Sequence, residues 1–113
     1  MAMDRLAMLE QLVGKTGEKG GDAFPLYGLA MEYRRLSRDD EAHATFERLH
    51  AAHPGYVPAY LMHGNLLERM GQAGEAAATY ERGIAIAGAA YDDHALSELQ
   101  GALSELRAGE RES

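Results

Sequence analysis

The chain has 113 residues, 46% of them hydrophobic, so a single domain can build a core without metals or disulfides. Its formal net charge of −7 leaves no basic excess to displace counterions from phosphates or to bind an anionic membrane, which argues against both partners. With no cysteine, disulfide scaffolds, thiol nucleophiles and thiolate zinc sites are excluded.

Composition also points to the fold class. Ala occurs 20 times and Leu 14 times, against only 7 Val, Ile and Thr together, a balance that suits helices and starves sheets. No apolar run reaches the length of a membrane span. The opening Met1-Ala2-Met3-Asp4-Arg5 lacks the basic stretch and apolar segment of a secretory signal, so the expected location is cytoplasmic.

Taken along the chain, the pattern predicts six helices. Met3, Leu6, Leu9, Leu12 and Val13 form an amphipathic stripe over about 3–14, followed by a mobile loop over 14–21. Asp22 is placed to cap a second helix over about 23–37, with Pro25 tolerated in its first turn. Asp39, Asp40 and Glu41 favour the positive end of a third helix over about 39–53, which His53-Pro54-Gly55 terminates. Pro58 opens a fourth over about 57–71, and Gly71 and Gly74 separate it from a fifth over about 74–88. Asp92 or Asp93 caps a sixth over about 92–107, where Leu96, Leu99, Leu103 and Leu106 form a stripe and Glu98 and Glu105 face away. Residues 108–113 read as a flexible polar tail.

The chain repeats itself. When Arg35–Ala51 is laid over Arg69–Ala85, an offset of 34, eight of seventeen pairs are identical, and Phe46/Tyr80 and Leu36/Met70 are conservative. Within the first copy, Leu26, Leu29, Ala30 and Tyr33 fall at i, i+3, i+4 and i+7 of one helix, and Ala42 and Phe46 form the facing stripe of the next. Tyr60, Gly64 and Leu67, then Ala76 and Tyr80, repeat the arrangement, with His63 where an aliphatic residue is expected. The small residues Ala30, Gly64, Ala42 and Ala76 let paired helices approach, and Phe46 and Tyr80 fill the space beside them.

This period and pattern resemble the tetratricopeptide repeat (TPR) family. Leu26-x2-Leu29-Ala30-x2-Tyr33, Ala42-x3-Phe46 and Pro54 follow its spacing, with Leu26 in place of the usual Trp and Gly88 in place of the second copy's Pro. The resemblance implies an all-α fold of antiparallel helix pairs stacked as a short right-handed superhelix. It divides a single domain into repeats at 23–56 and 57–90, capped by helices at 3–14 and 92–107.

Candidate chemistry is sparse. Gly14-Lys15-Thr16 echoes a phosphate-binding loop, but Leu9 stands where that motif needs another Gly, and no strand precedes it. His43, Glu47 and His50 share a helix face, with His53 one turn on, yet the second copy carries Ala77 and Ile84 at the matching positions of the two histidines. His63 occupies a core position, where a hydrogen-bonded imidazole is the expected state. The reading therefore assigns no catalytic residue, no metal and no cofactor.

A second stripe lies beside the core stripe on the first helix of each copy. Tyr27, Met31, Arg34 and Arg35 map onto Leu61, Asn65, Glu68 and Arg69, and Leu99 continues the row on the last helix. In the family this chain resembles, that row lines a concave, peptide-holding groove. Relatives that grip acidic chaperone tails carry Lys and Asn where Tyr27 and Met31 stand here, and only Asn65 matches, so such a clamp is not expected. The expected function is a non-catalytic interaction module or adaptor for a protein or peptide, working as a monomer or weak homodimer. The alternative is a homo-oligomeric structural unit that uses the same face for self-association.

Overall fold

In the computed structural model, which describes residues 4–16 and 22–112, those residues form six helices and no strand. They are α1 (Arg5–Thr16), α2 (Phe24–Arg35), α3 (Asp39–Ala52), α4 (Pro58–Arg69), α5 (Ala73–Ala89) and α6 (Asp93–Glu112). The chain divides between Tyr56 and Val57 into two compact units of three helices each.

The helix starts follow from local chemistry. Asp4 Oδ1 accepts the Ala7 N–H at 2.7 Å, Asp22 Oδ1 the Phe24 N–H at 2.9 Å, and Asp92 Oδ1 the Ala95 N–H at 3.1 Å. Each satisfies a donor that the first turn leaves unpaired. Three helix ends share one device. Arg38 N–H bonds back to Tyr33 O and Ser37 N–H to Arg34 O; Gln72 and Gly71 do the same to Leu67 and Glu68, and Asp92 and Tyr91 to Ala87 and Gly88. These are paired back-bonds of the Schellman type, and they place Ser37, Gly71 and Tyr91 at φ of 59°, 79° and 56°.

Two expectations change. The segment 14–16 is the last turn of α1 and not the start of a loop, while 17–21 lies outside the described residues. The sixth helix continues through the segment read as a tail and ends at Glu112. Ala108, Glu110 and Arg111 all have good helix propensity, and one exposed glycine does not stop them.

In the first unit, Leu9 and Val13 of α1 are buried, as are Leu26, Leu29, Ala30 and Tyr33 of α2 and Ala42, Phe46 and Leu49 of α3. Helix α1 comes close to α2 at Gly28, where an added Cβ would lie 3.0 Å from a Leu9 methyl. The stripe expected on α1 is narrower than its sequence suggests: Leu6 is half-buried, Leu12 is exposed, and Met3 lies outside the described residues. In the second unit, Tyr60, Leu67, Ala76, Tyr80, Ala87, Leu99 and Leu103 form one core cluster. Gly64 and Gly83 make it compact: a Cβ on Gly64 would overlap the Tyr80 ring, and one on Gly83 would lie 2.6 Å from Tyr60 Cβ. Pro54, placed by its spacing among the repeat-defining residues, is exposed in the turn after α3.

Candidate functional site

Helix α2 positions the first part of the row. Tyr27, Met31, Arg34 and Arg35 recur at i, i+4, i+7 and i+8, which puts them on one side of the helix. Tyr27 and Met31 are half-buried. The Tyr27 ring tilts against Tyr56, with centroids 5.2 Å apart and an interplanar angle of 56°. Burial, and secondarily Tyr56, raises the Tyr27 hydroxyl pKa above its ordinary value. Tyr56 is a contributor that the sequence reading missed, because it follows Pro54-Gly55 in a turn where helical periodicity carries no signal.

Arg35 is exposed, but its guanidinium is tied to Glu32, with Nε 2.6 Å from Oε1 and Nη2 3.0 Å from Oε2. Glu32 itself is buried at 3% exposure. The Arg35 hydrogen bond holds its carboxyl below the usual glutamate range, against burial, which pushes the other way. Glu32 was not singled out in the sequence, since a charged residue on an acidic chain resembles any solvated one. Its position at i−3 from Arg35 is the signal that could have found it.

In the second unit, Leu61 is half-buried and packs against the core cluster, and Arg69 is exposed. Asn65 is engaged from within: the Tyr80 hydroxyl lies 2.7 Å from its Oδ1 and also donates to Glu68. Burial, followed by the Glu68 hydrogen bond, drives the Tyr80 pKa far above the ordinary tyrosine value. A hydroxyl carries a single proton, so Asn65 Oδ1 and the Glu68 carboxylate compete for it. Leu99 departs from the row. At 1% exposure it sits in the core cluster with its methyl groups against Gly83, where no partner reaches it.

The other singled-out residues are placed as follows. On α3, His43 is half-buried, Glu47 exposed and His50 buried, and His53 follows at the helix end, half-buried. His63 on α4 is fully buried. Among the described residues, no helix is long and apolar enough to cross a membrane.

No family model matches the chain, and no curated protein sequence matches it. Solved structures do. A tetratricopeptide repeat domain protein from Salinibacter ruber, in its crystal structure, is 36% identical, with a TM-score of 0.72 over 76% of this chain and 97% of that one. Its solution structure gives a TM-score of 0.74 at the same 36% identity, over 77% of this chain and 88% of that one. A protein from Bordetella parapertussis, 21% identical, superposes with a TM-score of 0.79 over 96% of this chain and 91% of that one. MamA, also 21% identical, gives 0.66 over 95% of this chain and 67% of that one. The last two show likeness of fold alone.

Proposed function

Because the chain belongs to the tetratricopeptide repeat family, we propose that it is a non-catalytic protein-interaction module that offers the groove-facing row of its repeat helices to a peptide or partner protein. The observation that carries this reading is the α2 face. Tyr27 and Met31 share it, half-exposed, with the Tyr56 ring tilted against Tyr27. Amphipathic tyrosine and adaptable methionine are the side chains that recur at interface centres. Arg34 and Arg35 follow on the same side of the helix and supply donors for a carboxylate beside an apolar anchor. Arg69, with Leu61 and Asn65 on α4, supplies the corresponding set in the second unit.

The test is affinity capture from native lysate, followed by binding measurements with the identified partner. Tyr27→Ala combined with Met31→Ala is expected to weaken binding at least tenfold while the helical circular dichroism signal stays unchanged. Unchanged affinity would remove this face as the site. Sedimentation at micromolar concentration checks the self-association alternative: a dimer broken by the same two substitutions would replace the peptide with a second copy of the chain.

A further inference from the structure

Helix α1 keeps the phase of the repeat. Helices α1, α3 and α5 begin at Arg5, Asp39 and Ala73, 34 residues apart, so α1 corresponds to the second helix of each repeated pair. The same step aligns Met8 and Leu12 with Ala42 and Phe46 on α3 and with Ala76 and Tyr80 on α5. Those four counterparts are all 0% exposed. They are covered because α2 packs on α3 and α4 on α5, close enough that a Cβ on Gly64 of α4 would overlap the Tyr80 ring. On α1 the corresponding side chains are exposed, Met8 at 50% and Leu12 at 44%. They lie one turn apart on one side of the helix. Leu9 and Val13, on the adjoining side, are buried, and Leu9 approaches Gly28 of α2. Helix α1 is thus anchored through one side, while the side that the repeat gives to its first helix is exposed.

The two covering helices show what such a side takes. Helix α2 presents Leu26, Ala30 and Tyr33, and α4 presents Tyr60, Gly64 and Leu67, all buried. Each set is a small residue with a large one four positions before it and another three after it, and the small residue admits the aromatic ring of the second helix. A second copy of the chain has no such helix to offer. The sets on α2 and α4 are already buried within their own pairs. Helix α6 carries exposed His94, Glu98 and Gly101 at the positions that match Tyr60, Gly64 and Leu67. Another α1 would bring Met8 and Leu12 against themselves, large against large, where both internal pairs set small against aromatic.

We propose that the Met8–Leu12 side of α1 docks an amphipathic helix of a different protein, one that sets a small residue opposite Leu12 and large apolar residues four positions before and three after it. This continues the series of helix-pair interfaces already formed by α2 with α3 and by α4 with α5. The site is separate from the α2 row, and burial of apolar surface drives it.

The probe is a capped synthetic peptide with the sequence of Ala23–Leu36, held helical by a staple joining the positions of Gly28 and Glu32, because free helices of this length are marginal. Titrated into the isotope-labelled full chain, it is expected to shift the Met8 and Leu12 methyl signals. The Leu49 methyls in the core should stay unmoved, which distinguishes docking from exchange with the chain's own α2. Met8→Glu with Leu12→Glu in the chain should weaken binding at least tenfold, and the milder Leu12→Ala severalfold, with the helical circular dichroism signal unchanged. Ala30→Trp in the peptide should also cost at least tenfold. No shift at Met8 and Leu12, undiminished binding by the variants, or equal binding of the Ala30→Trp peptide would each overturn the proposal. So would a dimer of the chain alone, seen by sedimentation at micromolar concentration and dissolved by Met8→Glu with Leu12→Glu, since a second copy would then hold this side of α1. Tyr27→Ala with Met31→Ala in the chain should leave the titration unchanged. If those substitutions abolish it, the peptide sits on the α2 row and the α1 assignment fails while the module reading stands.

Discussion

Tyr80 meets two demands at once. Its ring fills the space that Gly64 leaves open, and its hydroxyl reaches Asn65 and Glu68 on α4. The first demand was legible in the sequence as a small residue on one helix facing an aromatic on the next. The second was not, because which polar atoms the hydroxyl meets depends on rotamers that spacing does not specify. Gly64→Ala should destabilise the protein by roughly 1–3 kcal/mol in a denaturant titration, since overpacking outweighs the gain of about 1 kcal/mol in helix propensity. Tyr80 also predicts a pH response. Its raised pKa means that the folded state favours the neutral phenol. That contribution is fully present below the unfolded tyrosine pKa of about 10 and is lost as pH rises above it. Tyr27, Tyr33 and Tyr60 are raised too, chiefly by burial, so Tyr80→Phe should make the alkaline fall in melting temperature shallower without abolishing it.

At the scale of the element, the three Schellman ends repeat one geometry with different residues. Gly71 adopts the left-handed conformation without a Cβ penalty, whereas Ser37 and Tyr91 occupy it with side chains. Tyr91 is 89% exposed, so little packing is lost if it is changed. Tyr91→Gly should therefore stabilise by about 0.5–1 kcal/mol, and Gly71→Ala should destabilise by about the same amount, both read from denaturant midpoints. The starts of α2 and α6 were legible because Asp22 and Asp92 bond to backbone within three residues of themselves, whereas Asp4 caps α1 from inside the span read as already helical. Some ends were not. α1 passes Gly14 to reach Thr16, and α6 passes Gly109 to reach Glu112.

For the molecule as a whole, the acidic balance sets up a second pH response. Glu32 and Glu41 both have pKa values lowered first by an arginine hydrogen bond, from Arg35 and Arg38 respectively. The stability they contribute is present above the unfolded glutamate pKa of about 4.3 and is lost as pH falls through their lower folded values. Protonation also relieves the self-repulsion of a chain at −7, which opposes that loss. Glu32→Gln separates the two effects: the variant should melt lower than wild type at pH 7, and the gap should narrow as the pH falls below the unfolded glutamate pKa of about 4.3.

What the sequence determined by itself was the repeated helical hairpin. A 34-residue period, two apolar stripes and the pairing of small with aromatic residues are local or nearest-neighbour properties, and backbone geometry translates them directly into helices with a buried side. The tertiary structure alone decided how the polar groups sort. It buried Glu32 beneath Arg35, turned Asn65 toward Tyr80, drew Leu99 out of the surface row into the core and set Tyr56 behind Tyr27. Apart from the Arg35–Glu32 pairing, which is local to α2, each of these outcomes depends on which side chain from another segment arrives beside it. Periodicity assigns a residue to a face of its helix and leaves open what that face will meet.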